Sequence, residues 1–474
     1  IRKPIRIFDF LHDVSAVMTS FSASSTPRKL APLRETVAIL VLAAFAFAQP
    51  IFDLLGRTPE FLVIRRVQGI DLAALLLIFG LLVPLLFAVL NLISKRLPFR
   101  AYSTLHAALV TTLVTLIALP PVKALKAIPD QLQLVTAISI GIMFCVIYLR
   151  WSAPRLFLQF LSPAIVIFPA IFLLNPAISR LVLSSATQAP IGAQKSSTDT
   201  SVIMVIFDEL PFVSLLKGDA TIDAERYPAF GRLASRSHIF TNATSPSAWT
   251  EHAVPAILTG NYPRTDRNEL PSANDHPQNL FTLLGDTHKL NVYEQVTHLC
   301  PDALCDATRE HMPFRSRMQT LTTDLSLAYL HTVLPNHYTS KLPDISKNWG
   351  NFFEDETKRT RFRLNKKGLA VKDDWSNDEW LFGKFIDSIG SSSEATLDFL
   401  HVTYPHVPYR YLPSGKRYAQ RSDKSNSRGY RREWDKDEWP SIQQYQQHLL
   451  QLKFGDVLLG RLLDKLESTG RFEN

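Results

Sequence analysis

Long apolar runs occupy the N-terminal part of the chain. Leu72–Ile93 carries no charge and is long enough to cross the hydrocarbon core of a bilayer, for which about 20 residues are needed. Four further runs are shorter or interrupted by Gln, Pro or His, so each could instead form a buried or re-entrant helix. These runs are Thr36–Phe52, Leu105–Leu119, Leu132–Leu149 and Leu156–Leu174. We predict five transmembrane helices, with four as the alternative.

The pattern changes after Arg180. Residues 183–200 are rich in Ser, Thr and Ala without an apolar period, which predicts a linker. Ser201–Phe207 is a short continuous apolar run rich in β-branched residues, typical of a buried parallel strand. Further strands are predicted at His238–Thr241, Leu290–Val296 and Thr396–Val402.

Segments with helical spacing alternate with these strands, which predicts an α/β fold with helices on both faces of the sheet. The expected organisation is a membrane region at residues 1–182, a linker at residues 183–200 and an α/β domain at residues 201–474.

The charge distribution follows the same division. The chain carries 51 Lys and Arg against 43 Asp and Glu, a formal net charge of +8. Residues 1–180 hold 17 of the cations and 7 of the anions, which leaves 34 against 36 for the rest. The positive excess lies among the apolar runs, as in cationic membrane loops, and does not form the basic surface that nucleic acid requires. We expect a lipid bilayer, and no nucleic acid, among the partners.

Loop cations predict the orientation of the membrane region. Five lie after the first and third predicted spans, namely Arg57, Arg65, Arg66, Lys123 and Lys126. Eleven lie on the opposite side, namely Arg2, Lys3, Arg6, Arg28, Lys29, Arg34, Lys95, Arg96, Arg100, Arg150 and Arg155. The excess places the N-terminus in the cytoplasm, and five spans then place the α/β domain outside. The expected localisation is a multi-pass cell-membrane protein with an extracytoplasmic domain, whereas four spans would reverse it.

Two adjacent carboxylates follow the first predicted strand. In open α/β sheets ligands gather at the carboxyl ends of the strands, where Asp208 and Glu209 would lie. Their oxygens suit a hard or borderline divalent cation, either Ca²⁺, Mg²⁺, Mn²⁺ or Zn²⁺. The alternative is a solvated turn or a cap of the next helix.

A Ser- and Thr-rich loop runs into an apolar helical turn within Thr241–Pro263. A hydroxyl at such a helix start faces backbone N–H groups and the positive end of the helix dipole, where an anion or alkoxide is stabilised. Ser247 and Thr250 are the candidates, and the alternative for either is an ordinary N-cap.

The cysteines give a further indication of the compartment. Cys145 lies in a predicted span and is expected to be a small apolar filler. Cys300 and Cys305 could bind a metal, but no matching ligands lie near them in the sequence. A local disulfide is favoured if the domain lies in an oxidising compartment.

Several segments taken in order carry a family resemblance. Leu258–Pro263 reads Leu-Thr-Gly-Asn-Tyr-Pro, and Thr250 stands nine positions before its Thr259. His401–Tyr409 ends a predicted strand in a His-x-Pro segment, and Gly455–Gly470 is helical in pattern. Together with the two carboxylates, Asp208 and Glu209, after the first predicted strand, the order of these segments resembles the sulfatase and alkaline-phosphatase superfamily over residues 201–474.

The resemblance implies a three-layer α/β fold and a divalent metal ion held by Asp208, Glu209 and Thr250. Thr250 would be the nucleophile, His406 would act on the leaving group or bind substrate, and His401 would bind substrate. The family's Asp-His-Gly metal segment would follow Asn474, so the catalytic domain is expected to be truncated at its C-terminus, with an incomplete metal site.

The nucleophile position narrows the expected chemistry. Sulfatases with a formylglycine use a Cys/Ser-x-Pro-x-Arg motif, whereas this chain has Thr250-Glu-His-Ala-Val. A Thr resembles the phosphoethanolamine and phosphoglycerol transferases of the superfamily, and Glu251 and His252 could assist it. The expected function is a membrane-anchored enzyme that hydrolyses or transfers phosphate or sulfate esters on an envelope glycan or lipid. The alternative is a non-catalytic membrane sensor or assembly partner that retains a degenerate domain.

Overall fold

The computed structural model describes residues 32–183, 200–264, 269–305, 312–343, 345, 350, 352, 362–364, 370–372, 378–390, 394–407, 409–416 and 438–472. The linker predicted at residues 183–200 falls almost wholly outside these residues.

Five helical segments of the described chain are long and apolar enough to cross a membrane. They are Arg34–Arg57, Gly69–Ser94, Phe99–Ala124, Asp130–Arg150 and Ser152–Leu174. Large apolar side chains such as Leu86, Ile171 and Leu174 are exposed on their surfaces. Since a soluble protein rarely exposes so large an apolar area, these faces fit a lipid environment. The five long apolar helices expected from the sequence are present as candidate spans.

These segments and the chain that connects and follows them form regular helices. The helices are α1 Pro32–Ala43, α2 Gln49–Arg57, α3 Glu60–Ile64, α4 Gly69–Leu75, α5 Val83–Ser94, α6 Phe99–Ala124, α7 Asp130–Arg150, α8 Ser152–Phe160, α9 Ala164–Leu174 and α10 Pro176–Leu183. A π-helical segment at Ala44–Ala48 joins α1 to α2, and another at Leu76–Leu82 joins α4 to α5. The first two spans are therefore continuous through these segments.

The remaining described residues form an α/β domain. Its strands are β1 Val202–Phe207, β2 Lys289–Tyr293, β3 Phe362–Leu364, β4 Ala370–Lys372 and β5 Thr396–Val402. Its helices are α11 Pro228–Ala234, α12 Thr250–Thr259, α13 Leu280–Leu284, α14 Asp302–Cys305, α15 Phe314–Val333, α16 Asn336–Thr339, α17 Asp378–Ser388 and α18 Glu438–Ser468, with a 3₁₀ turn at Phe212–Leu215.

Three parallel strands make the main sheet, in the order β1-β5-β2. Ile206 of β1 lies opposite His401 of β5, so the carboxyl ends of these strands meet at one edge. Every residue of β5 is buried because β5 lies between the other two strands. The buried residues include the polar Thr396, Asp398 and His401 as well as four apolar side chains.

Helices cover both faces of the sheet. On one face, Leu400 and Val402 of β5 pack with residues of α11, α17 and α18. On the other, Leu397 and Phe399 pack with residues of α12 and α13, and Phe399 makes an edge-to-face contact with Phe281. Alternate side chains of one strand thus enter two cores. The arrangement is the predicted α/β fold, with helices predominating.

The helix α15 was not foreseen from the sequence. Its buried residues Met318, Leu321 and Leu325 belong to the same core cluster as residues of the membrane helices, including Phe52 and Leu75. Tyr329 donates a hydrogen bond to the carbonyl of Ala46 over 2.9 Å. The α/β domain therefore contributes a helix to the core of the membrane region, in addition to the covalent connection.

Two strand predictions need correction. His238–Thr241 is not a strand but part of an exposed turn-rich segment, because it lies outside the three paired strands of the main sheet. The strand predicted at Leu290–Val296 is Lys289–Tyr293. Residues Glu294–Val296 leave the sheet at its carboxyl edge, where their polar side chains serve the adjoining loops.

Candidate active site

The turn after β1 separates its two carboxylates. Asp208 extends the ladder by one hydrogen bond, from its N–H to the carbonyl of Val402 over 3.0 Å. Glu209 follows with a φ of 53°, the left-handed region that non-glycine residues rarely adopt. The two side chains contact different partners as a result: Asp208 contacts Thr250, whereas Glu209 contacts His406.

Thr250 is the first residue of α12. Its hydroxyl Oγ1 lies 3.2 Å from Oδ1 and 3.2 Å from Oδ2 of Asp208, to which it donates. Because the first N–H groups of a helix lack intrahelical acceptors, the helix start favours negative charge at this oxygen. An oxygen that meets both a carboxylate and a helix N-terminus is suited to act as a nucleophile.

The two hydroxyl candidates of the preceding loop differ in role. Ser247 accepts a hydrogen bond at its Oγ from the N–H of Trp249 over 3.1 Å, so it stabilises the turn that enters α12. Thr250 makes no such local cap; its hydroxyl reaches 42 residues back in the chain to Asp208. Ser247 therefore has the structural role, and Thr250 faces the sheet edge.

His401 lies inside this edge of the sheet. It is 0% exposed, and its Nε2 lies 3.9 Å from Oδ2 of Asp208. Within the described part of the chain neither ring nitrogen has a hydrogen-bond partner. Burial lowers the pKa of His401, while the charges of Asp208 and Glu294 oppose this effect. Burial therefore favours the neutral form of this imidazole.

His406 occupies the loop after β5. Its Nε2 lies 3.4 Å from Oε1 of Glu209, and its Nδ1 contacts the carbonyl of Val407. Burial raises the pKa of Glu209, and the neighbouring His406 opposes this. The structure thus places one histidine near each carboxylate, His401 near Asp208 and His406 near Glu209.

A comparison with known families gives this geometry its context. The family model described as Sulfatase matches residues 201–474, more than half of the chain. The chain belongs to the sulfatase family. Comparisons with curated proteins and with solved structures give no match. Membership of the sulfatase family indicates hydrolase or transferase activity and accounts for the parallel sheet with its acidic strand end.

Sulfatases typically use a divalent metal ion, and the donors at this edge fit one in kind. The carboxylate of Asp208 and the hydroxyl of Thr250 are hard oxygen ligands, and the buried ring nitrogens of His401 have no hydrogen-bond partner among the described residues. Among the described residues no group of three His, Cys, Asp or Glu is arranged to hold a metal ion. Asp208 and Thr250 therefore form part of a possible ligand set.

Gln451 is a site residue that the sequence did not reveal. From α18, its Nε2 donates to the carbonyl of His406 over 2.8 Å, and its Oε1 accepts from the N–H of Arg410 over 2.7 Å. Gln451 is 2% exposed and holds both sides of the loop that carries His406. Nothing in its sequence context distinguishes it from the neighbouring glutamines of the same helix.

The segment after β2 supports the same edge. Glu294 is buried, and its carboxylate accepts hydrogen bonds from the N–H groups of Leu299 and Cys300 over 2.7 and 3.2 Å. Cys300 and Cys305 are joined by a disulfide and are both fully buried. This sulfatase therefore has a fixed, cross-linked loop beside His401.

Proposed function

We propose that this chain is a membrane-anchored, metal-dependent enzyme that hydrolyses or transfers phosphate or sulfate ester groups through Thr250. The contact of Thr250 Oγ1 with both carboxylate oxygens of Asp208 carries the proposal. A free hydroxyl is a weak nucleophile at neutral pH, and an adjacent carboxylate that accepts its proton strengthens it. The helix start then stabilises the charge on the oxygen.

The reaction proceeds in two displacements. Thr250 Oγ1 forms a bond to the phosphorus or sulfur atom, its proton passes to Asp208, and the bond to the leaving oxygen breaks. Water or an acceptor hydroxyl then attacks the Thr ester and gives its proton to His406, which lost one to the leaving oxygen in the first step; the bond to Oγ1 breaks and Asp208 returns the proton to Oγ1. A divalent ion bound by Asp208, Thr250 and Glu209 would neutralise the charge of the ester oxygens.

The two histidines suit different tasks. His406 is 17% exposed beside Glu209, so it can reach an arriving ester and give a proton to the leaving oxygen. His401 is enclosed, and burial favours its neutral form, in which one ring nitrogen donates and the other can accept a hydrogen bond from substrate or bind a cation; neither nitrogen has a partner within the described residues. We assign His406 to the leaving group and His401 to binding.

An extracytoplasmic location and an envelope substrate complete the proposal. The cation count favours a cytoplasmic N-terminus, and with five candidate spans this supports an extracytoplasmic sulfatase domain. A disulfide at Cys300 and Cys305 suits an oxidising compartment. Because α15 packs among the membrane helices, the site stays near the bilayer, which favours an ester on an envelope lipid or glycan.

The test uses Thr250→Ala and Thr250→Ser in the full-length protein. Bis(p-nitrophenyl) phosphate and p-nitrophenyl sulfate are the probes, and mass spectrometry of the peptide that contains residue 250 detects the covalent ester. We expect the Ala variant to lose turnover and adduct, and the Ser variant to keep both. Elemental analysis of wild type and Asp208→Ala tests the metal.

Turnover that survives in Thr250→Ala would exclude Thr250 as the nucleophile. The non-catalytic sensor or assembly partner is the second outcome of the same experiment. It is supported if the wild type binds a divalent ion or an ester but neither forms the adduct nor releases p-nitrophenol.

A further inference from the structure

The segment Thr58–Gln68, here called the connecting segment, joins the first two candidate spans and includes α3. It contacts the sulfatase domain through neighbouring arginines. Arg65 pairs with Asp324 over 3.3 Å, and Nη2 of Arg66 donates to the carbonyl of Glu294 over 3.2 Å. The membrane region therefore contacts the residue that directly follows β2, at the edge that carries the candidate active site.

The backbone of Arg66 adopts an uncommon conformation at this contact. Its φ is 49°, a left-handed conformation that a non-glycine residue keeps only where its surroundings fix it. The N–H of Arg66 donates to the carbonyl of Val63, and that of Val67 to the carbonyl of Leu62, both over 2.9 Å. This turn ends α3 and directs the following chain back toward the second span.

The carbonyl that accepts the hydrogen bond from Arg66 belongs to a residue whose side chain makes further contacts at this edge. The carboxylate of Glu294 anchors the disulfide loop, and its charge acts on His401. The next residue, Gln295, accepts a hydrogen bond at Oε1 from the N–H of Thr403 over 3.0 Å. Thr403 follows β5 two positions after His401. The backbone at Glu294 and the end of β5 are therefore linked by neighbouring side chains.

We propose that Arg66 is a positioning residue for the candidate active site. It fixes the backbone of Glu294, which sets Gln295 against Thr403 and so holds His401 beside Asp208. The membrane region is then part of the active-site scaffold as well as an anchor. The effect on turnover rests on the proposed ester chemistry at Thr250, whereas the structural effect does not.

The experiment compares Arg66→Ala, Arg66→Lys and Arg180→Ala in the full-length protein. Arg180 pairs with Asp275 over 3.0 Å, so its removal breaks another ion pair between the same two parts of the chain without touching Glu294. Hydrogen exchange of peptides covering residues 294–300 and 401–407 reports the local opening of this edge. Steady-state kinetics with bis(p-nitrophenyl) phosphate separate kcat from KM.

For Arg66→Ala we expect faster exchange in both peptides and a kcat lower by about 10- to 100-fold, because small misplacements of reacting groups have effects of this size. KM should also rise, since His401, which Arg66 is proposed to hold in place, is assigned to binding. Arg66→Lys keeps a donor and restores part of kcat. Arg180→Ala changes neither the exchange of these peptides nor kcat.

The other outcomes test the positioning role of Arg66 and the proposed ester chemistry separately. If Arg66→Ala leaves exchange unchanged, or if Arg180→Ala raises it equally in both peptides, Arg66 has no specific positioning role and the proposal is wrong. If the wild type turns over neither probe while Arg66→Ala still raises exchange, the positioning role stands and the proposed ester chemistry fails.

Discussion

Arg65 of the membrane region and Asp324 of α15 form an ion pair with an N–O distance of 3.3 Å. The Asp324 side chain is 1% exposed, and it also accepts a hydrogen bond from the N–H of Phe352 over 3.0 Å. Gly350 lies directly against the guanidinium, since a Cβ there would come within 2.7 Å of Nη1 of Arg65. Two parts of the chain that are far apart in sequence are therefore fixed in one docked arrangement.

Removal of Arg65 should destabilise this arrangement strongly. Arg65→Ala leaves the Asp324 carboxylate buried without its counter-charge, and breaking such a pair typically costs about 3–5 kcal/mol. The measurement is the thermal unfolding midpoint of the detergent-solubilised protein. The matched control is Arg57→Ala, because Arg57 is 76% exposed and its ion pair within the described residues is with Asp53 of its own helix. Equal shifts in both variants would show that the buried pair does not stabilise docking.

The docking contacts also explain part of the charge pattern. Five loop cations lie on the side that the predicted orientation places outside the cell, and three of these five contact the sulfatase domain in the structure. Arg65 and Arg66 do so as described, and Lys123 donates to the carbonyl of His331 over 2.6 Å. A prediction of orientation from loop charges assumes that every loop cation acts on membrane insertion. The sequence could not show that these three have protein partners.

The strands and spans were predictable because their signal is local. A continuous β-branched run marks β1, and charge-free runs of membrane length mark the spans. Docking of α15 was not predictable, because its partner is a surface of other helices. The same holds for the site. Asp208 and Thr250 could be predicted from the order of motifs along the chain. Gln451 and Glu294 could not, because their roles depend on contacts with other segments of the chain.

Loss of charge at Asp208 should abolish turnover without unfolding the protein. Asp208→Asn keeps the shape of the side chain but can neither take the proton of Thr250 nor favour a bound cation, so kcat should fall by about 10²–10⁴-fold. The kinetic measurement uses bis(p-nitrophenyl) phosphate, with circular dichroism to verify folding. Asp219→Asn, in an exposed turn with Thr221, is the control and should retain wild-type turnover. Comparable turnover in the two variants would contradict the role of Asp208.

Gln451 should control the loop that carries His406. Gln451→Ala removes two short hydrogen bonds to that loop and leaves buried backbone groups unsatisfied, which costs about 1–3 kcal/mol. We expect a lower unfolding midpoint and a lower kcat/KM, since the loop no longer holds His406 in one place. Gln446→Ala on the same helix is the control, because Gln446 is exposed. If both variants behave like the wild type, the loop is held by its other contacts.

His448 should make stability depend on pH. Its Nε2 lies 3.3 Å from Oγ of Ser214, and it is 6% exposed between the rings of Tyr445 and Tyr409. Burial lowers its pKa from the ordinary value of 6.5. The folded protein thus binds this proton less readily than the unfolded chain. The contribution of His448 is complete above pH 6.5 and is lost as pH falls below it, by at most about 1.4 kcal/mol per pH unit.

The variant His448→Gln should therefore lose less stability than the wild type between pH 7.5 and pH 5.5, as measured by unfolding midpoints across that range. The exposed His238 provides the control, and His238→Gln should follow the wild-type pH dependence. The partly buried His276 and the buried His401 have pKa values lowered by burial in the same direction, so the dependence should weaken in His448→Gln without vanishing. If the stability of His448→Gln depends on pH as steeply as that of the wild type, His448 gains a proton in the folded state without cost. Its surroundings are then more polar than the packing against Tyr409 and Tyr445 implies.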